Sequence, residues 1–159
     1  MATRTAIDLD AGTGDVTLVA GNSVTDGDAN ADIQATNADV TVTNGSFGAT
    51  GNAIDTAVDS LTVDTSGANG DQFIDEADAL TALDLDAGTG DVPLDAGDAI
   101  TDGDGTTDIT GTNAVVKVNG RFGNAANDIE TSEASLSANS SAANGGQLLN
   151  HRRGPPYRA

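Results

Sequence analysis

Residues 5–18 read TAIDLDAGTGDVTL and residues 81–94 read TALDLDAGTGDVPL, differing only at Ile7/Leu83 and Thr17/Pro93. The match continues through VTDGDANADI at 24–33 and ITDGDGTTDI at 100–109. A deletion near Asn44 then shortens the offset by one. SFG at 46–48 meets RFG at 121–123, and ANGDQFI at 68–74 meets ANGGQLL at 143–149. Two near-copies in tandem constrain the fold strongly, because each unit must be stable beside another unit like itself. That condition favours a stacked solenoid over one closed globule, and solenoids act through extended surfaces more often than at one point.

The repeat units occupy residues 5–80 and 81–150, with the second cut short. Within them the pattern is short alternation. AIDLDAG sets Ile7 and Leu9 against Asp8 and Asp10; DVTLVAG, ADVTVTNG and SLTVDTSG repeat the device with Val16 and Leu18, Val40 and Val42, and Leu61 and Val63. A period of two, flanked by Gly, Asn and Asp turns, is the strand signal. The segments IDTAVDSL (54–61) and IETSEASL (129–136) hint at helical spacing, but the second has Glu133 where the first has Val58, and both read as short strands or bends. The expected architecture is all-β: a parallel β-helix of about six coils, three per unit, at 5–31, 32–59, 60–80, 81–107, 108–134 and 135–150. A Greek-key β-sandwich is the competing arrangement, since it also spaces short strands between frequent turns.

Charge narrows the partners. There are 25 acids against 6 bases among 159 residues, a formal net charge of −19, and only Glu76, Glu130 and Glu133 are not Asp. Such acidity with few aromatics also describes disordered chains, but the regular Ile, Val and Leu alternation argues for order. The charge repels nucleic-acid phosphates and anionic lipid heads and suits divalent cations or a saline medium. The absence of cysteine excludes a disulfide framework or a thiolate metal site. No apolar run is long enough to span a membrane, and the sequence begins without an apolar signal core.

Residues 151–159, HRRGPPYRA, have no counterpart upstream and hold three of the six bases. They read as an unrelated, disordered basic tail. With no polar cap evident at either end of the repeats, the chain reads as a fragment of a longer array whose neighbouring repeats are its natural partners.

LDAGTGDVTL, ITDGDGTTDITGTNA and VDSLTVDTSGANG resemble the tandem repeats of large bacterial surface proteins of the filamentous-haemagglutinin and autotransporter type, over residues 5 to about 150. The resemblance implies a parallel β-helix stalk, secretion or display at the cell surface, and a role in adhesion. It supplies no catalytic residues, and the chain shows neither a secretion domain nor a translocating barrel.

The acidic turns are the places where chemistry would sit. Asp26, Asp28 and Asp32 in DGDANAD, and Asp102, Asp104 and Asp108 in DGDGTTD, place carboxylates at alternate positions, as hard-cation loops do. They are the calcium candidates, although no Glu closes either loop in sequence, and a solvated acidic rim is the plainer reading. No other cofactor is expected. Enzyme activity is not expected: the acids recur in both copies, as structural positions do, and a polyanionic substrate would be repelled. The AGTGD strings at 11–15 and 87–91 lack the lysine and helix of a phosphate loop. His151 stands without partners in sequence. Thr is too scattered among Asp for an ice-binding array.

Overall fold

The computed structural model describes residues 5–28 and 30–152. Fourteen strands follow one another: β1 Thr5–Ala6, β2 Leu9–Asp10, β3 Asp15–Ala20, β4 Val24–Thr25, β5 Ile33–Val42, β6 Ile54–Asp64, β7 Ile74–Glu76, β8 Ala82–Asp86, β9 Val92–Ala96, β10 Ile109–Thr110, β11 Asn113–Val118, β12 Ile129–Ser132, β13 Ser135–Asn139 and β14 Leu149–His151. The one helical turn among the described residues is Ser141–Ala143, three residues of 3-10 geometry. Every pairing between named strands is parallel. A Greek-key sandwich needs antiparallel neighbours, so the parallel β-solenoid of about six turns stands and the sandwich does not.

Two ladders run the length of the molecule. One contains β2, the start of β5, the start of β6, then β7, β9, β11 and β13; Ile54 pairs with Ile74, Ile74 with Leu94, Leu94 with Val116 and Val116 with Ala138. The other contains β3, the ends of β5 and β6, then β8, β10, β12 and β14; Leu18 pairs with Val40, Val40 with Val63, Val63 with Leu85, Leu85 with Ile109 and Ile109 with Thr131. β5 and β6 pass from one ladder into the other without a break. IDTAVDSLTVD is therefore one 11-residue strand, where the sequence suggests short pieces or bends. The equivalent stretch of the second copy splits into β12 and β13.

Apolar positions of both ladders face a common core. Val40, Val63, Leu85, Ile109, Ile54, Ile74, Leu94 and Val116 are all buried, as are Phe47, Phe122, Val24 and Ile100 at the corners. A one-residue slip would put Asp39, Asp64 or Asp75 into that core, so the period of two fixes the register. Ile7, Leu9, Val16 and Leu18 point inward as the alternation requires, but lie in the first coils and are half-buried; Leu136 and Leu149 are half-buried at the other end.

The copies do not stack as three coils per unit. Following Leu9, Leu18, Ile33, Val40, Thr56, Val63, Glu76 and Leu85 along the chain, successive residues alternate between ladders. Leu9 to Leu85 is one repeat and takes seven such steps, which is three and a half coils. Partners one coil apart are 20 residues apart at Ile54 and Ile74, 22 at Val63 and Leu85, and 25 at Phe47 and Gln72. The coils are thus shorter than the 27- and 28-residue divisions drawn from the repeat, and each position of the second copy lies in the opposite ladder from its first-copy counterpart.

The corners are locked by a device present in both copies. The Gln72 Nε2 donates to the carbonyl oxygen of Val63 at 2.9 Å and to Thr65 Oγ1 at 3.2 Å, while Thr65 Oγ1 donates to the carbonyl of Gly70 at 2.6 Å. Gln147, Ala138, Ser140 and Gly145 repeat it. In the first copy the glutamine is buried and supplies a donor to a turn carbonyl that would otherwise be stranded; Gln147, near the end of the solenoid, is exposed.

His151 corrects the reading of the tail. It is the last residue of β14 and pairs with Thr131, and the Arg152 N–H donates to the Thr131 carbonyl at 2.7 Å, as the Ala77 N–H does to Thr56 in the first copy. His151 thus stands where the first copy has Glu76, with its Nδ1 3.2 Å from Thr131 Oγ1 and 3.3 Å from Glu133 Oε1. Glu133 in turn occupies the place of Val58. The repeat continues past Asn150 with one acid replaced by a base and one apolar residue by an acid; the rest of the tail, 153–159, lies outside the described residues.

Candidate functional site

The 102–108 turn bulges from the coil between Ile100 and Ile109, both buried in the core. Because its two ends are fixed there, Asp102 and Asp108 return to the same place. The next coil brings Glu130 beneath them: Ile109 pairs with Thr131, so Asp108 and Glu130 are neighbours across the ladder. Each of the three residues offers one carboxylate oxygen, and these oxygens lie within 4.8 Å of one another. All three side chains are buried, at 5%, 1% and 7% exposure.

Some of their oxygens are already engaged. Asp102 Oδ1 and Oδ2 accept the Gly103 and Asp104 N–H groups at 2.5 and 2.9 Å. Asp108 Oδ2 accepts the Glu130 N–H at 2.6 Å. The Asn127 Nδ2 donates to the Asp102 carbonyl at 2.7 Å and ties the turn to the 124–127 bend. Asp108 Oδ1 and Glu130 Oε2 are buried without a hydrogen-bond donor. Burial, followed by the facing charges of Asp102 and Glu130, holds the Asp108 carboxyl well above the ordinary aspartate range.

Of the residues expected from sequence, the structure joins Asp102 and Asp108 but turns Asp104 away. Asp104 is exposed and caps its own loop, accepting from the Thr106 N–H and Oγ1, each at 2.7 Å. Those bonds hold its carboxyl below the usual range. In the first copy Asp26 and Asp28 form local turns, with the Asp28 N–H on Asp26 Oδ1 and the Asn30 N–H on Asp28 Oδ1. Asp32 is buried and accepts the Asp55 N–H at 2.9 Å, the counterpart of the Asp108 to Glu130 bond. Burial, with Asp26, Asp55 and Asp28 adding to it, pushes Asp32 up to about 6. Among the described residues, Asp26, Asp32 and Asp55 do not converge as Asp102, Asp108 and Glu130 do. Asp55 is one methylene shorter than Glu130, which stands in its place.

Glu130 was the residue that sequence reasoning did not select. Its signal is the coil length, visible only once the register is known: Glu130 lies 22 residues after Asp108, one turn of the solenoid.

A second acidic feature runs along the outside of the other ladder. Asp55 pairs with Asp75, Asp75 with Asp95 and Asp95 with Lys117. They line a groove of about 570 Å³ together with Phe73, Pro93 and Val115. Lys117 Nζ is bonded to Asp95 Oδ2, and this contact raises the lysine above its usual range. Comparison of the chain with protein-family models, curated proteins and solved structures finds no match.

Proposed function

We propose that the chain is a structural segment of an adhesive stalk in a bacterial surface or secreted repeat protein, acting through its length and its acidic faces. The observation that carries this reading is the unbroken pairing from one sequence copy into the next: Leu61 of the first copy pairs with Leu83 of the second, and Val63 with Leu85. A unit that pairs with its successor in this way is built for extension. The half-coil excess of each unit supports the same role, because it presents equivalent outward residues on alternate sides of the rod. The resemblance to haemagglutinin-type repeats gives the adhesive context, and neighbouring repeats of a longer parent chain are the partners it implies.

The test is to fuse further copies of the 76-residue unit to the chain and measure shape by small-angle X-ray scattering. Each added unit should lengthen the rod by about 17 Å, three and a half coils at about 4.8 Å each, and should raise the midpoint of unfolding. Separate globules joined by linkers would sink the proposal. The surface assignment is checked by antibody labelling of intact cells of the source bacterium; labelling confined to broken cells counts against it.

A second reading, a calcium-binding acidic repeat module, is favoured by one observation: the meeting of Asp102, Asp108 and Glu130.

A further inference from the structure

We infer that Asp102, Asp108 and Glu130 form a buried calcium site of the second repeat copy, with Asp108 Oδ1 and Glu130 Oε2 as two of its ligand atoms. The inference deepens the calcium-binding reading and does not depend on the adhesive role; failure to bind calcium would leave the rod and its length test untouched.

Two independent features point to a cation. The first is the convergence of three carboxylate oxygens within 4.8 Å. The second is that Asp108 and Glu130, at 1% and 7% exposure, each keep a buried oxygen with no donor. A buried acceptor without a donor costs about 1–3 kcal/mol, and more when charged. Native structures leave few buried polar groups unpaired, and a bound ion is one explanation for those that remain. Among the described residues the ion pairs are Lys117 with Asp95 and His151 with Glu133, so no base neutralises this group.

The donor set selects the metal class. All ligands are carboxylate oxygens, which suit hard cations rather than zinc or copper. Calcium accepts six to eight oxygens at about 2.3–2.6 Å in flexible geometry. Magnesium needs a tighter octahedron and keeps several waters, which three nearly buried side chains leave little room for. The scaffold suits the demand: Glu130 and Asp108 are held one coil apart by the ladder, while Asp102 is held on its turn by the Gly103 and Asp104 N–H groups and by Asn127. The second copy alone has the glutamate. With Asp55 in its place, the first copy lacks the reach, so one ion per chain is expected.

The experiment is calcium titration of the whole chain, stripped with EDTA, by isothermal titration calorimetry, with thermal melts followed by circular dichroism. The expected result is one saturable calcium site, weaker by at least tenfold for magnesium at the same ionic strength, and a calcium-dependent rise in melting temperature. Asp108→Asn and Glu130→Gln should each abolish both. Asp104→Asn and Asp32→Asn should keep both. The two neutral variants relieve like-charge contact, so in EDTA they should fold and melt no lower than the parent chain, which separates loss of the ion from loss of the fold. No saturable calcium binding, binding that survives both Asp108→Asn and Glu130→Gln, binding lost in Asp104→Asn, or equal affinity for magnesium would each overturn the site.

Discussion

Leu18 and Leu94 hold the same position in the two sequence copies, yet Leu18 pairs with Val40 in one ladder and Leu94 with Val116 in the other. The cause is arithmetic. Each copy contains seven strand-length segments, and an odd number of segments ends on the wall opposite to its start. Equivalent residues therefore meet different neighbours. Val63 of the first copy sits beside Leu85, the counterpart of Leu9, and not beside its own counterpart Ala138. Sequence identity between the copies thus reflects a common strand and turn grammar that works on either wall.

Leu94 and Leu18 give the first prediction. Leu94 is buried with coils on both sides, whereas Leu18 lies in the first coils and is half-buried. Leu94→Ala should cost about 2–5 kcal/mol, the range for an enclosed leucine. Leu18→Ala should cost less than about half of that, because less apolar area leaves water on folding. Urea denaturation of both variants checks the order. Equal losses would mean that the first coil is as well covered as the centre.

Much of the fold was legible in the residues. The alternation at Val40, Val42, Leu61 and Val63 named inward positions correctly, because one buried face with period two leaves little choice of register. The parallel stacking followed from the repeat. The coil length did not, because the 76-residue repeat is the conspicuous period and the roughly 22-residue coil has no sequence motif of its own. The same gap hid Glu130 and the place of His151: both are chosen by what lies one coil away. Asp104 misled for a local reason. Alternating carboxylates signal a cation loop, but a Thr two residues later offers Asp104 two donors at once, and it closes on itself.

Gly145 and Gly146 are adjacent and test how tightly the turns stack. A Cβ on Gly145 would run into the carbonyl of Gly120 in the neighbouring coil, while one on Gly146 would meet nothing within 4 Å. Gly70 is pressed against Gly45 in the same way in the first copy. Gly145→Ala should cost at least about 1–3 kcal/mol, since backbone must move to admit the methyl group. Gly146→Ala should stay within about 0.5 kcal/mol of the parent chain. Thermal melts of the pair decide it, and a neutral Gly145→Ala would show that the turns are loosely stacked.

Net charge gives the third prediction. A charge of −19 on a slender rod repels itself, and coils about 4.8 Å apart lie well inside the screening length of about 10 Å at 0.1 M salt. Raising NaCl from about 0.01 M to about 0.15 M should raise the melting temperature in the presence of EDTA, where no divalent ion contributes. A flat or falling salt dependence would show that the aspartates are spaced widely enough on the surface to ignore one another.

Glu76 carries the last prediction. Its side chain, on β7 of the first ladder, is fully buried. Thr56 Oγ1 donates to Oε2 at 2.6 Å, and the N–H groups of Val58 and Asp78 donate to Oε1 at 3.2 and 3.0 Å. Those bonds favour the anion, but desolvation outweighs them and holds the carboxyl above its ordinary value of 4.5. The folded state therefore keeps a proton that the unfolded chain has already lost. Stability from this residue is greatest below about pH 4.5 and falls as pH rises from there through the higher folded value. Glu76→Gln removes the titration and keeps the shape: its carbonyl oxygen can accept from Val58 and Asp78, and its amide can donate to a rotated Thr56 hydroxyl. The variant should match the parent chain near pH 4 and exceed it in stability near pH 8, as read from urea midpoints across the range. A variant less stable than the parent at the alkaline end would show that the Thr56 bond to an ionised Glu76 outweighs the cost of burying its charge.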